Sequence, residues 1–345
     1  MGSGHHQSKS RPSWGTRFLD AGHEQTLYDL SSSPIIGQIR LLMSNIHHIE
    51  TITEMYKMLP KAEVQHPLVA VVDFSSYQEQ INSGMKMTLG FYSIMFKNFC
   101  INKMKYGQQM YDFQEGSLIC MAPRQLITLD EPSEPIINAT GWGLFFHPDL
   151  IRGTTLGKAI KEYSFFSYET SEALHLSEKE KNVLTGIIQK IDTELQENID
   201  KHSQTLIVSN IELLLNYCTR YYERQFITRK HVNKDLLTKV EAVLLNYMQS
   251  PELSEKGLPT VKYLADQVNL SPNYLSDLLK KETGMNAQDR IHYYLIEEAK
   301  DLLLNSDLSI SELAYKLGFA YPQYFSRLFK AKTGILPLDY RHKNF

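Results

Sequence analysis

A multidomain α+β fold is predicted for this chain, and three features predict it. Short strand-like runs fill residues 67 to 151, wide amphipathic helical stripes follow Ser177, and a helix-turn-helix pattern occurs twice after residue 257. Strands grouped in one part and helices in another argue against the alternating order that builds a parallel sheet.

Residues 1–42 contain GSGHHQSKSRPSWG and then LDAGHEQTLYDLSSSP, small and polar with no sustained period, and are read as disordered or marginally structured. His5 and His6 are incidental, because two adjacent histidines without further ligands make no metal site. At Met43 the composition changes. MSNIHHIETITEMYKML reads as a short amphipathic lead-in to a domain over 43–176, and Met43 is where a translation start would leave residues 1–42 as an upstream extension.

Within that domain the runs LVAVVDF, MTLGFYSIMF, GSLICMA, RQLITL and GWGLFFH are rich in β-branched and aromatic residues and bounded by Gly, Pro, Asn or Asp. With no helical pattern between them, they predict an antiparallel β-barrel or jelly roll. A metal would need His and carboxylate ligands converging from neighbouring strands, but His66 and His147 stand far apart and form no H-x-H pair. His147, before Pro148, is expected to end a strand ahead of a helix starting near Asp149. No G-x-S-x-G, phosphate-cradling glycine loop or Cys-x-x-Cys occurs, so the expectation is no catalytic site, no metal and no cofactor.

A helical connector is expected over 177–230. Ser177 with Glu180 three residues on forms a capping box ahead of Val183, Leu184, Ile187, Ile188, Ile191 and Leu195. A second stripe carries Leu206, Ile207, Ile211, Leu214, Leu215, Cys218 and Tyr222. Packing within the chain and homodimerisation both account for stripes this wide. The polar ITRKHVNKD, about 227–235, is expected to link to a last domain over 231–345.

Composition is that of an ordinary globular protein, at 42% hydrophobic and 22% charged residues, with no apolar run of membrane-spanning length. With no signal-peptide pattern, the expected location is the cytoplasm. Cys100, Cys120 and Cys218 lack close spacing and are read as reduced packing residues. A net charge of −3 does not announce a nucleic-acid binder, but its distribution is uneven. From Lys316 onward six cations (Lys316, Arg327, Lys330, Lys332, Arg341 and Lys343) stand against one anion, Asp339.

That basic tail coincides with a helical hairpin. Leu313, Ala314 and Leu317 form the apolar face of one helix, Phe325, Leu328 and Phe329 that of the next, with a bend at Gly318-Phe319-Ala320. A helix, a tight turn and a second helix with exposed polar residues is the pattern that places the second helix in the major groove of DNA. An earlier copy lies over 257–291. Leu264-Ala265 matches Leu313-Ala314 at an offset of 49, and after the turn Tyr274, Ser276, Leu278, Lys280 and Thr283-Gly284 match Tyr324, Ser326, Leu328, Lys330 and Thr333-Gly334 at an offset of 50. Matching polar and basic positions suggest a repeated surface as well as a repeated core. Between the copies, NAQDRIHYYLIEEAKDLLLNS predicts one rigid helix able to hold two recognition helices near the ~34 Å spacing of successive major-groove turns.

GFAYPQYFSRLFKAKTGILPLDYR is similar, nearly residue by residue, to the signature of the AraC/XylS family of bacterial transcription regulators, and the resemblance is strong over about 235–345. It implies an all-α C-terminal domain of two helix-turn-helix units joined by one helix, and a cupin-like sensing domain ahead of it. Carried onto this chain, it places Asn273, Ser276 and Asp277 of the first recognition helix towards bases, with Lys280 at phosphate. In the second, Gln323, Ser326 and Arg327 face the groove with Lys330 behind. Asn and Gln pair with adenine and Arg with guanine, while Lys neutralises phosphate at any sequence. Asp277 stands where the second unit has Arg327 and is repelled by phosphate, so the first unit is expected to bind more weakly or read a more restricted site.

The implied partners are double-stranded DNA, a small-molecule effector, a second copy of the chain and, for an activator, RNA polymerase. No membrane is expected. Two alternatives stay open: a constitutive or architectural DNA-binding protein whose barrel serves protein interaction, and a cupin-like enzyme with a DNA-binding domain.

Overall fold

The structure is a computed structural model, and it describes residues 46–59, 64–77, 86–97, 105–106, 109–110, 116–128, 140–197, 200–228 and 230–343. The expectations for residues 1–42 and for Cys100 fall outside these. Residues from Ile46 onward belong to one compact unit.

Among the described residues, ten strands lie in the N-terminal part: β1 (Ile46–Ile49), β2 (Val69–Asp73), β3 (Lys86–Leu89), β4 (Tyr92–Lys97), β5 (Lys105–Tyr106), β6 (Gln109–Met110), β7 (Ser117–Met121), β8 (Leu126–Thr128), β9 (Gly141–Phe146) and β10 (Leu174–His175). Five of them make an antiparallel sheet in the order β10-β7-β4-β9-β2, three make a smaller sheet in the order β1-β3-β8, and β5 pairs with β6. Alternate residues of the large sheet point to two different cores. Val69, Ile94, Leu118, Trp142, Leu144 and Phe146 face one, while Ala70, Val72 and Phe145 face another with Ile52 and Phe91.

The closed antiparallel barrel expected from these runs is not what the described strands form. They make open sheets, and β1 pairs with β3 in parallel. One face of the large sheet is covered by two helices instead of curling onto itself. These are α4 (Glu178–Gln196) and α5 (Ser203–Thr228), which follow the short helices α1 (Ile52–Met58), α2 (Pro148–Ile151) and α3 (Thr155–Ala159). Trp142 Nε1 donates to Thr185 Oγ1 at 3.1 Å, and Arg224 binds Glu180 at 2.7 Å and the His175 carbonyl at 2.6 Å. The Ser177–Glu180 capping box starts α4 as its sequence predicts. The run MTLGFYSIMF is two strands in different sheets, broken at Gly90, where a Cβ would lie 2.5 Å from the Glu50 carbonyl. His147 caps α2, its Nδ1 accepting from Asp149 N–H.

The C-terminal part is helical: α6 (Lys230–Gln249), α7 (Glu252–Lys256), α8 (Val261–Gln267), α9 (Pro272–Thr283), α10 (Ala287–Asn305), α11 (Ile310–Lys316), α12 (Pro322–Thr333) and α13 (Pro337–Lys343). The polar stretch at 227–235 is largely helical, ending α5 and beginning α6, and its Asn233 is buried. Val240, Leu244, Leu264, Ile291, Leu295, Leu313, Phe325 and Phe329 share one core, so the two helical hairpins and α10 pack as a single domain. No described helix is long and apolar enough to cross a membrane.

Candidate nucleic-acid interface

Each hairpin is built by local chemistry that the two copies share. Thr260 caps α8, and Ser309 with Glu312 forms a capping box on α11. The turn that follows needs a left-handed residue in each copy, Asn269 at φ 54° in the first and Gly318 at φ 79° in the second. Gly318 is further required by crowding, since a Cβ there would lie 2.2 Å from the Leu253 carbonyl oxygen. Proline opens both recognition helices, α9 at Pro272 and α12 at Pro322, where its missing N–H costs nothing. Both close on a left-handed glycine, Gly284 or Gly334, whose N–H donates to the Lys280 or Lys330 carbonyl. The repeated threonine before each glycine belongs to the same device. Thr283 and Thr333 donate to the carbonyls of Leu279 and Phe329 and accept from Met285 and Ile335 N–H.

The spacer between them is α10, 19 residues or about 28 Å of helix. Arg290 on α10 pairs with Glu241 on α6, and Asp289 pairs with Lys332 on α12 at 2.8 Å. The Lys332 ammonium holds the Asp289 carboxyl below its ordinary value, first through this hydrogen bond and then through its charge. The second recognition helix is thus tied to the spacer by an ion pair as well as by its apolar face.

Along α12, Gln323, Arg327 and Lys330 are exposed, Ser326 is half-buried, and Phe325 and Phe329 are buried in the core. Two aromatic residues join that exposed face. Tyr321 is 57% exposed and Tyr324 54%, set edge-to-face with ring centroids 5.8 Å apart at the start of the helix. Not all of the basic tail belongs to this face. Arg341 donates to the carbonyls of Leu303 and Leu308 at 3.0 and 2.8 Å and locks α13 onto the end of α10, and Lys332 is taken by Asp289.

The first recognition helix differs. Asn273 and Lys280 are exposed, but Ser276 Oγ accepts from Ala287 N–H at 3.2 Å, at the foot of α10. The position equivalent to Ala287 in the second unit is Pro337, which has no N–H to give, so Ser326 is not drawn into the same bond. Asp277 is half-buried and accepts a 2.6 Å hydrogen bond from the hydroxyl of Tyr168, which lies between β9 and β10 in the chain. Tyr274 is only 5% exposed. The structure therefore brings Gln323, Ser326, Arg327 and Lys330 together on one accessible helix, and leaves Asn273 and Lys280 as the accessible pair on the other.

Chemically, the exposed face of α12 offers an amide that fits an adenine edge, a guanidinium that fits guanine and an ammonium for phosphate. The paired tyrosines add apolar surface suited to a thymine methyl group.

Residues 264–343 match a family described as "Helix-turn-helix domain". Over 232 residues, 67% of this chain and 70% of the relative, the sequence is 23% identical to an uncharacterized HTH-type transcriptional regulator, YfiF, of Bacillus subtilis. Over 78 residues it is 35% identical to the HTH-type transcriptional activator RhaS of Escherichia coli, covering 23% of this chain and 28% of that one. A solved transcriptional regulator from Chromobacterium violaceum, described among AraC-type DNA-binding domain-containing proteins, is 20% identical, with 32% of this chain and 92% of that chain covered and a TM-score of 0.28.

Proposed function

We propose that this chain, whose residues 264–343 match a helix-turn-helix family, is a sequence-specific DNA-binding transcription regulator of the AraC type in which the sheet region controls how the helical domain meets its operator. The observation that carries the reading is the exposed face of α12, where Gln323, Arg327 and Lys330 project from a helix anchored by Phe325 and Phe329. Gln323, Ser326 and Arg327 address bases and Lys330 phosphate. Asn273, Ser276, Asp277 and Lys280 do the same from the first unit once α9 reaches the groove.

The preceding region, read as a cupin-like sensing domain over 43–176 with a connector over 177–230, binds a small-molecule effector. Such a ligand shifts the regulator only by binding two of its conformations unequally. Homodimerisation is supported by Leu206 and Leu213, exposed seven residues apart on α5. An activator of this kind works with RNA polymerase, in the cytoplasm. No catalytic residue or cofactor is part of this reading.

Selection of bound duplexes from a random pool by the full-length chain tests the core of it. Two enriched half-sites about 10 base pairs apart are expected, one for each recognition helix. Failure to enrich any sequence overturns the reading. A rise in melting temperature of the full chain on adding candidate metabolites tests effector control.

A further inference from the structure

The first recognition helix has a second partner inside the same chain. Glu172 ends the 3-10 turn Thr170–Glu172, is 3% exposed, and spends both carboxylate oxygens on the residue that caps α9. Ser271 N–H donates to Oε1 and Ser271 Oγ to Oε2, each at 2.6 Å. One turn into the helix, Tyr274 meets Tyr168 edge-on at 5.1 Å and Phe226 at 5.0 Å. Asp277 accepts from Tyr168, and Leu278 closes into the core that fills the sheet region. At the far end Lys281 pairs with Glu223 at 3.9 Å, and Asn233 bridges the Phe226 carbonyl and Glu282. The docking runs from the cap to the last turn.

This burial is not needed to build a helix-turn-helix unit. In the second unit the residue matching Tyr274 is Tyr324, 54% exposed, and the residue matching Asp277 is the exposed Arg327. Both units have their own buried apolar residues, Leu275 and Leu279 in α9, Phe325 and Phe329 in α12. Apart from the Asn233–Glu282 bond, the extra contacts of α9 go to the sheet region and its connector. A recognition helix enters the major groove with its N-terminal residues on the base edges and its buried face on its own domain; in α9 the flank carrying Asp277, which the second unit leaves open at Arg327, is covered by Tyr168. The two partners of α9 exclude one another.

We propose that the segment 164–175 is an inhibitory partner of the first recognition helix. Docked, the chain offers DNA its second unit alone; release of Tyr168 and Glu172 frees α9 for the adjacent groove, and the balance between the two states sets the affinity for a two-half-site operator. The proposal rests on the DNA-binding reading above.

The test compares the full-length wild type with Tyr168→Phe and Glu172→Ala on two duplexes: the one enriched from the random pool, and the same duplex with the first unit's half-site scrambled. Affinity for the intact duplex is expected to rise about fivefold or more, the usual scale of coupling between two sites, with binding to the scrambled duplex unchanged. Unchanged or weaker binding to the intact duplex by variants that still unfold cooperatively overturns the proposal. Hydrogen exchange on the wild type needs no variant. Amides of 164–175 must exchange faster once the intact duplex is bound, and unaltered protection there overturns the proposal equally. A wild type that enriches no sequence overturns the DNA reading itself, and the inhibition with it.

Discussion

The Tyr168 hydroxyl donates to Asp277 Oδ2 across 2.6 Å, joining the segment between β9 and β10 to the middle of the first recognition helix. Burial, and then the Asp277 charge, push the Tyr168 phenol well above its ordinary value, so the hydroxyl stays a donor throughout the working pH range. A hydrogen bond to a charged acceptor contributes about 1.5–3 kcal/mol. A double-mutant cycle of Tyr168→Phe and Asp277→Ala, measured by urea denaturation, is expected to return a coupling in that range. A coupling near zero contradicts the bond.

Glu172 makes the same docking pH-dependent. Burial raises its carboxyl above the ordinary 4.5, outweighing the lowering by its bonds from Ser271 and Glu169 N–H, while the neighbouring Glu169 charge raises it further. A group that binds its proton more tightly in the folded chain stabilises most below its unfolded value and loses that contribution as pH rises through its folded one. The stability of wild type relative to Glu172→Gln is therefore expected to fall as pH climbs from 4.5. Denaturation at a series of pH values checks the sign; a difference that grows with pH refutes it.

Arg327 and Lys330 are expected to fail in different ways. Arg327→Ala should weaken specific binding by about 1–3 kcal/mol and relax preference at one base position. Lys330→Ala should weaken binding to every duplex alike and reduce the salt slope by about 1. Titrations at several salt concentrations on matched and mismatched duplexes separate the two.

Two glycines give opposite outcomes on replacement by alanine. Gly318→Ala puts a side chain at φ 79° and a Cβ 2.2 Å from the Leu253 carbonyl, so it should destabilise the C-terminal domain by more than about 1 kcal/mol. Gly186, inside α4, has nothing within 4 Å of an added Cβ, and Gly186→Ala should stabilise by about 0.5–1 kcal/mol. Denaturation midpoints decide both.

Sequence legibility followed the range over which each signal acts. The capping box of α4 is local and shows in the sequence, and the duplicated spacing exposed both recognition helices and the helix between them. The capping boxes of Thr51 with Glu54 at α1 and of Ser309 with Glu312 at α11 are just as local, and the same S/T-x-x-E spacing marks them in the sequence. Strand runs revealed which residues are extended, but pairing depends on partners far along the chain; hence a barrel was expected where open sheets form, and one run concealed two strands. The docking of α9 left no trace in any window, because Glu172 and Ser271 lie 99 residues apart. Asp277 looked like a weakened DNA contact, and only the Tyr168 hydroxyl beside it reveals a second use.

The mismatch between Tyr274 and Tyr324, one covered and one bare, also gives the molecule a head and a tail. Under the proposed inhibition, with α12 bare and α9 covered, binding would start from one end, and the order of half-sites along the duplex would then dictate on which flank the sheet region stands.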